Sequence, residues 1–332
     1  MRRFHSQRWL AVLALSAVAL TGCKKQQSSD LPICKAEVAG SEAEEVSAGA
    51  VPADIWFLIM LRNFDRNTMQ VKRPVQDCSG RAVEPKPEAV DACLVGDEPP
   101  AALPERPMTE EDLLIAATED GKQVVWVKTG AYENGEAVGP VGLTEWTSRG
   151  VAVRAIGTLR AQEDRAAMHL EALGSEQVLV VESRRCDPDD PKSCSRRVRL
   201  LPLEGDTFKD KPLKMEDGTC LGPAEVVLYE EKAVTLDNGI ERKFEVARSV
   251  DFDEGEVVIN EQVTIKDKDP TQPDEPPKVF RRANVSRALN VGVDAITTQR
   301  GLWEEMINEH GSVVVKPEPE PEPEEPAAEA AE

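Results

Sequence analysis

The stretch EVVINEQVTI, residues 256–265, is the part of the sequence that decides the fold class. It is rich in β-branched residues, and polar and apolar positions alternate from Gln262 to Ile265, which predicts a β-strand. Asp253-Glu254-Gly255 in front of it suits a tight hairpin turn, as does Asp237-Asn238-Gly239 one strand earlier. The sequence therefore predicts antiparallel hairpins in this part of the chain.

Similar strand-like runs, with turn residues between them, extend over most of the chain. They are Gln123–Lys128, Val151–Thr158, Gln177–Glu182, Arg196–Leu203, Glu225–Tyr229, Arg242–Val250 and Val279–Val293. A further strand, buried on both faces, is predicted at Ile55–Leu61, because all seven residues of this run are apolar. Short links and the lack of long intervening helices predict one mainly β domain of antiparallel sheets over residues 51–312. A sandwich, an irregular barrel and a partial propeller all remain open within that class.

Two short helices are predicted within this domain. Thr109 is followed by three acidic residues, which suits the N-cap and first turn of a helix that continues through Leu113–Ile115 and closes at Asp120-Gly121. The apolar residues of Leu302–Glu309 fall on one helical face. We expect that face to dock on the protein's own core.

The N-terminal residues follow a signal-peptide pattern. Three arginines within the first eight residues precede Trp9–Leu20, a 12-residue stretch that is apolar apart from one serine. A helix of that length spans only ~18 Å, which is too short for a bilayer core of ~30 Å. The next residues, Leu20-Thr21-Gly22-Cys23, resemble the lipobox of bacterial lipoproteins.

This resemblance implies a processed and lipid-anchored protein. Residues 1–22 would be removed as a lipoprotein signal peptide, and Cys23 would be the lipidation site, carrying palmitate or similar acyl chains that anchor the mature chain to a membrane. The expected location is the cell envelope. Lys24, which is not an aspartate, favours the outer membrane over the inner membrane.

The mature chain has six further cysteines, and their even number in an exported protein predicts three disulfides. They are Cys34, Cys78, Cys93, Cys186, Cys194 and Cys220. Cys186 and Cys194 flank a turn-rich loop, so they form the best local pair. Cys78 with Cys93 is the next choice, and Cys34 would then pair with Cys220.

The two ends of the mature chain have a different composition from the domain. Residues 23–50 are rich in polar residues and predict a flexible tether, apart from a possible short strand around Cys34. Residues 313–332 predict a disordered acidic tail, because proline and glutamate alternate through 317–323. Removal of residues 1–22 takes away three arginines and no acidic residue, so the formal charge falls from −21 to −24. Such a surface repels phosphate backbones, which argues against nucleic-acid binding.

Motifs for catalysis and metal binding are sparse. The chain has no G-x-S-x-G motif, and its mature part has two histidines, His169 in a strand-like stretch and His310 at the end of the terminal helix. Two acidic loops, residues 251–256 and 266–278, offer oxygen ligands but lack the spacing of an EF-hand. The sequence therefore predicts no catalytic residue, no metal site and no cofactor.

These observations together predict a non-catalytic envelope lipoprotein that acts as an interaction or structural component. Its partners would be the membrane, through the lipid on Cys23, and other envelope proteins. A small-ligand-binding lipoprotein and a hydrolase built from dispersed carboxylates remain as alternatives. An exposed apolar patch or an open sheet edge would favour the interaction component over both.

Overall fold

The structure is a computed structural model that describes residues 31–36, 51–84, 91–95, 101–148, 150–186, 194–253 and 255–312. The predicted fold class is confirmed, because the protein is mainly β with a few short helices. The helices are α1 (Ala53–Met60), α2 (Ala92–Val95) and α3 (Leu302–His310). Within the described ranges, none of the helices is long and apolar enough to cross a membrane.

Within the described ranges, twenty strands form three large sheets and one small hairpin. In chain order they are β1 (Cys34–Ala36), β2 (Phe64–Asp65), β3 (Gln70–Val71), β4 (Leu113–Ala117), β5 (Gln123–Val127), β6 (Gly130–Ala131), β7 (Glu136–Thr147), β8 (Gly150–Gln162), β9 (Ala167–Leu173), β10 (Glu176–Cys186), β11 (Cys194–Glu204), β12 (Thr207–Phe208), β13 (Pro212–Met215), β14 (Cys220–Pro223), β15 (Glu225–Val227), β16 (Tyr229–Thr235), β17 (Glu241–Asp253), β18 (Glu256–Lys268), β19 (Lys278–Val291) and β20 (Ile296–Thr298).

The order of the strands is simple and almost wholly antiparallel. The first sheet has the order β1-β8-β7-β5-β4, with β6 beside β7. The second sheet has the order β12-β11-β10-β9, with β15 beside β11. The third sheet has the order β14-β13-β20-β19-β18-β17-β16, in which β13 and β20 run parallel. The hairpin β2–β3 stands apart from these sheets.

Shared apolar cores join these elements into a stack. Helix α1 covers one face of the first sheet, where Trp56 is fully buried. The other face, with Trp126, packs on the second sheet around Leu179. The opposite face of the second sheet packs on the third sheet around Ile259. The same face of the third sheet continues beyond that contact and is covered there by α3 through Trp303.

The stretch at residues 256–265 lies in β18, an interior strand of this third sheet, as predicted. Val257, Ile259, Val263 and Ile265 point to the apolar side and are fully buried, whereas Gln262 on the opposite face is exposed. The hairpin turn before this strand places Gly255 at φ +90°, where a residue with a side chain would be strained. Two-residue periodicity therefore agrees with the faces of this strand, apart from the buried Glu261.

The predicted strand at Ile55–Leu61 is wrong, because this segment forms α1. An uninterrupted apolar run carries no periodicity, so it does not distinguish a buried strand from a buried helix. Pro52 immediately precedes the helix, and the backbone N of Leu61 donates to the carbonyl oxygen of Phe57 at its end. Leu58 is 44% exposed while its neighbours Trp56 and Phe57 are buried, so the helix leaves one side open to solvent.

The predicted helix that starts at Thr109 is also wrong beyond its first turn. Residues Glu110–Asp112 form a single 3₁₀ turn, and the chain then enters β4. Leu113 and Ile115 pair with Val127 and Val125 of β5, so pairing with the first sheet overrides the helix-start signal. The predicted helix at Leu302–Glu309 is confirmed as α3.

All six cysteines after Cys23 form disulfides, and the pair Cys186–Cys194 is confirmed at the open end of the β10–β11 hairpin. The predicted pairs Cys78–Cys93 and Cys34–Cys220 are wrong. The bonds are Cys34–Cys78 and Cys93–Cys220.

The physical reason for both corrections is the position of two small elements. Strand β1 pairs with β8, which brings Cys34 to the core that also contains Cys78. The pairing of β1 with β8 also confirms the short strand that was suggested around Cys34 within the predicted tether. Helix α2 packs on β14 of the third sheet, where Cys93 Sγ lies 3.6 Å from the carbonyl oxygen of Gly222. Cys93 is therefore carried away from its neighbour in sequence, Cys78.

Candidate docking surface

A buried carboxylate fixes the start of α3 on the third sheet. The side chain of Glu261 is 0% exposed, and its Oε1 accepts a hydrogen bond from the backbone N of Trp303 at 2.9 Å. Its Oε2 lies 2.6 Å from Arg248 Nε and 3.6 Å from Arg287 Nη2. Burial penalises the charged form of Arg287 and lowers its pKa. Two arginines and a helix N-terminus therefore surround one carboxylate, which holds α3 in a defined position.

The other end of α3 meets a β-bulge in β19. Ile265 of β18 pairs with Arg281, whereas the next residue, Lys266, pairs with Val279, so Phe280 is the extra residue on β19. Consecutive side chains of a regular strand point to opposite faces, but a bulge locally breaks this alternation and re-aims a side chain. Phe280 and Arg281 consequently both contact His310, the last residue of α3.

The ring of Phe280 is exposed but held from two sides. Its centroid lies 4.0 Å from the guanidinium carbon of Arg242, and it meets the ring of His310 edge to face at 5.5 Å. Arg242 is itself fixed, because it donates two 2.7 Å hydrogen bonds to Asp267 and a third, of 3.0 Å, to the carbonyl oxygen of His310. Phe280 thus has a defined position although it is 51% exposed.

The imidazole of His310 favours its neutral form at this position. Burial and the positive charge of Arg281 lower the pKa of His310, and the nearby carboxylate of Glu309 opposes them. Arg281 Nη1 lies 3.1 Å from His310 Nε2. A neutral ring with its lone pair on Nε2 accepts a hydrogen bond from Arg281, which a protonated ring cannot do.

We call Phe280, Arg281 and His310, which meet at the end of α3, the Phe280 surface. Val279, which is 56% exposed, pairs with Lys266 and lies on the opposite face of the sheet, as does Arg282, which pairs with Thr264. In the described part of the chain, neither arginine forms a salt bridge with a carboxylate. The whole chain has a formal charge of −21. The Phe280 surface is therefore apolar and basic on an otherwise acidic protein.

Most charges around this surface are paired within the protein. Arg242 is paired with Asp267, and Lys278 is paired with Glu275. Glu309, 3.5 Å from His310, is the third carboxylate of the neighbourhood. Asp269 also acts on Lys278, so the cations and carboxylates of the neighbourhood nearly balance, and Arg281 is the cation that no described carboxylate pairs.

A cleft beside the first sheet is the alternative place for a ligand. It has a volume of about 340 Å³, which lies in the range of small-molecule sites. Its cations are already paired within the protein. Arg106 donates to both oxygens of Asp112 at 2.8 and 2.7 Å, and Lys128 donates to Glu163 at 3.1 Å. The lining therefore offers few free polar groups for orienting a small molecule.

The third cation of that cleft is also occupied, and it belongs to a wider network. Arg73 donates to Glu105 and to Glu84 at 3.0 Å each. Tyr132 donates to the same Glu84 at 2.7 Å. Burial, reinforced by Glu84, raises the pKa of Tyr132 to about 12. This network ties the third cation of the cleft into the scaffold around it.

The residues weighed for chemistry in the sequence lie far apart or are used locally. His169 is on β9, with Nε2 3.4 Å from Glu171 Oε1 on its own strand. In the loop at residues 266–278, Asp269 accepts hydrogen bonds from the backbone and hydroxyl of Thr271. In the other acidic loop, Asp251 accepts a hydrogen bond from Ser249 on the same strand. The described residues contain no group of three or more His, Cys, Asp or Glu side chains that could hold a metal ion.

No known family model, curated protein or solved structure matches the chain. The predicted lipidation site Cys23, the signal peptide and the acidic tail lie outside the described residues.

The sequence alone did not single out Phe280, Arg281 or Arg282. They lie at the start of a run that was predicted as an ordinary strand, and nothing in the amino-acid sequence marks the bulge. Glu261 was overlooked as well, although a signal for it exists. It occupies an inward position between Ile259 and Val263, and a carboxylate at such a position indicates buried cationic partners.

Proposed function

We propose that the mature protein is a lipid-anchored envelope protein that works as a non-catalytic interaction component, and that it docks an acidic segment of another envelope protein on the Phe280 surface. One observation carries this proposal. Phe280 is half exposed, yet Arg242 and His310 hold its ring in place. A solvent-exposed aromatic side chain that is already ordered loses little conformational entropy when a partner covers it.

The composition of the surface supports the same proposal. Energetically dominant interface residues are enriched in aromatic side chains and arginine, and they cluster where water is excluded. Phe280 supplies apolar area, while Arg281 has a charge without a carboxylate partner among the described residues. An acidic partner segment would pair with that charge. It would also approach faster, because opposite charges steer association.

The exported location is supported by independent features. Three disulfides are typical of a protein that folds in an oxidising compartment. The Leu20-Thr21-Gly22-Cys23 resemblance to a lipobox supplies the anchor. Substituting Cys23→Ala tests the anchor, because it should release the protein from membranes and change its gel mobility. Unchanged membrane association would contradict the lipid anchor.

The docking function is tested by recovering the lipidated protein from its own membranes in mild detergent and identifying what is bound by mass spectrometry. We expect a stoichiometric envelope protein with an acidic segment, and its recovery should fall at least tenfold for Phe280→Ala, since a dominant interface residue contributes ~2 kcal/mol or more. Val293→Ala is the matched control, because Val293 is 82% exposed in the turn after β19. A partner that is recovered equally with both variants, or a protein recovered alone, would refute docking at Phe280.

A further inference from the structure

We propose that β4, the open edge of the first sheet, binds an extended segment of another protein as an added strand, and that this segment has about five apolar residues between basic ones. In the order of the first sheet β4 is the last strand, and no described strand pairs with its outer side. An edge strand presents unpaired backbone N–H and C=O groups, with which an extended segment can form a further strand. This docking place does not depend on the Phe280 surface.

The register of the β4–β5 hairpin identifies the backbone groups that face outward. At the turn, the backbone N of Thr118 donates to the carbonyl oxygen of Lys122 at 2.9 Å, so these two residues form a hydrogen-bonded pair. Such pairs occur at every second residue of an antiparallel ladder, so the even-numbered residues of β4 direct their backbone groups at β5. The odd-numbered residues direct their N–H and C=O groups away from the sheet, and they are Leu113, Ile115 and Ala117.

Strand β4 lacks the charges that protect the other long edge strands. Its sequence, Leu113-Leu114-Ile115-Ala116-Ala117, has neither a charged residue nor a proline. Among the described edge strands of comparable length, β9 contains His169 and Glu171, and β16 contains two glutamates and a lysine. Charged side chains on an edge oppose pairing with another chain, whereas an uncharged apolar edge favours it. Of these edges, β4 is therefore the one suited to strand addition.

The side chains of β4 indicate an apolar occupant. Leu113 and Ile115 pack against the core beneath α1, whereas Leu114 and Ala116 pack against the core between the first and second sheets. These side chains are only partly buried, because the sheet ends at β4. A strand added beside β4 would extend both cores, and a strand that is buried on both faces is apolar at consecutive positions. We therefore expect a continuous apolar run in the added segment.

The acidic residues at the two ends of β4 determine which occupant fits. Glu110 and Glu111 precede the strand and Glu119 follows it, and all of them are exposed and form no salt bridge with a described cation. In a second copy of this chain that paired antiparallel about Ile115, Glu111 of each copy would lie opposite Glu119 of the other. Like charges directly opposite each other destabilise a strand pair. A segment with Lys or Arg on both sides of its apolar run would instead be attracted by these carboxylates.

The test uses two synthetic peptides as probes, KKVAVAVKK and EEVAVAVEE, which differ only in their terminal charges. The protein is the chain from residue 23 onward with Cys23→Ser, so that no lipid is attached. Ala117→Pro removes one outward N–H and keeps the β4–β5 ladder, because proline is tolerated where the N–H of an edge strand faces solvent. Ala117→Thr is the matched control, since it keeps the N–H and suits a strand. Ala117 is exposed, so both changes spare the core.

Binding is measured by fluorescence anisotropy of the labelled peptides, and circular dichroism checks that each variant is folded. We expect Ala117→Pro to weaken binding of the basic peptide about fivefold, the effect of one lost hydrogen bond, and Ala117→Thr to leave it nearly unchanged. Equal binding by the folded Pro and Thr variants would overturn strand addition at β4. No binding of the basic peptide to the unsubstituted chain at about 1 mM would overturn it as well.

A charge-reversed variant tests the basic occupant without touching the strand. The unsubstituted chain should prefer the basic peptide, because its lysines lie opposite Glu111 and Glu119 when the peptide is centred on Ile115. Glu111→Lys combined with Glu119→Lys should reverse this preference, since both positions are exposed. If the double variant still prefers the basic peptide, the assignment of a basic occupant is overturned.

A second measurement identifies the occupant in the cell. A photocrosslinking amino acid replaces Ala117 in the full chain, and mass spectrometry locates the bond that forms on illumination. We expect a crosslink to another protein, within an apolar run that has Lys or Arg on both sides. A crosslink to a second copy, to another part of the same chain or to a segment without that pattern would overturn the proposed occupant, as would the absence of any crosslink. Each of these failures leaves docking at the Phe280 surface standing, because the substitutions lie outside that surface.

Discussion

Replacing Glu261 by glutamine should strongly destabilise the protein, because the carboxylate compensates buried positive charge. Glu261 is fully buried and contacts Arg248 and Arg287, both of which are almost buried. Gln keeps the size of the side chain, and its oxygen can still accept the hydrogen bond from Trp303. The substitution therefore removes the negative charge with little change in packing.

The expected loss of stability follows from the two buried arginines that remain after the substitution. Two buried guanidinium groups would lose their only described carboxylate, and breaking a buried ion pair from one side costs about 3–5 kcal/mol. Burial already lowers the pKa of Arg287, and its Nε has no hydrogen-bond partner among the described residues. We expect a loss of about 3–5 kcal/mol in the free energy of unfolding. A change of 1 kcal/mol shifts the Tm by ~2–4 °C in a domain of this size class, so Tm should fall by roughly 10 °C.

Urea unfolding followed by far-ultraviolet circular dichroism measures this change, and urea is suitable because it does not screen charges. The protein is used in a form that begins at Lys24. The matched control is Glu256→Gln, the same substitution at the exposed first residue of the same strand. It should change stability by less than about 0.5 kcal/mol. If Glu261→Gln is as mild as the control, the carboxylate does not fix α3 and the electrostatic reasoning is wrong.

Two further outcomes are expected from the structure. Replacing Cys93 and Cys220 by serine should lower the free energy of unfolding by about 2 kcal/mol more than replacing Cys186 and Cys194. The first bond joins residues 127 positions apart and the second joins residues 8 positions apart, so the first restricts the unfolded chain more. Urea midpoints in the reverse order would contradict this prediction. The lowered pKa of His310 means that its stabilising contribution is complete above its ordinary value near pH 6.5 and is lost as the pH falls through and below it. His310→Gln should therefore flatten the decline of the urea midpoint between about pH 7 and 5, and an unchanged decline would show that this ring does not titrate as argued.

The sequence predicted the β-strands well where periodicity and turns acted together. The hairpin β17–β18 combines alternating residues with a glycine turn, and Val263 and Ile265, the apolar positions of that alternation, are both buried. Periodicity did not distinguish helix from strand at Ile55–Leu61, because every position there is apolar. Packing against the neighbouring sheet decides the outcome. The disulfide partners of cysteines far apart in the chain also could not be predicted from the sequence. The partner of Cys93 depends on where α2 packs, and that position is not encoded in the spacing of cysteines.

The Phe280 surface shows why an exposed aromatic residue escapes prediction from sequence. In a regular strand, Val279 and Arg281 would share one face and Phe280 would point to the other. The bulge opposite Ile265 and Lys266 breaks this rule, so that Phe280 and Arg281 meet the same histidine. The bulge is a property of two strands, since it requires a register shift between β18 and β19. The exposure of Phe280 is therefore decided jointly by β18, β19 and the end of α3. The sequence of each element, taken alone, is that of an ordinary strand or helix.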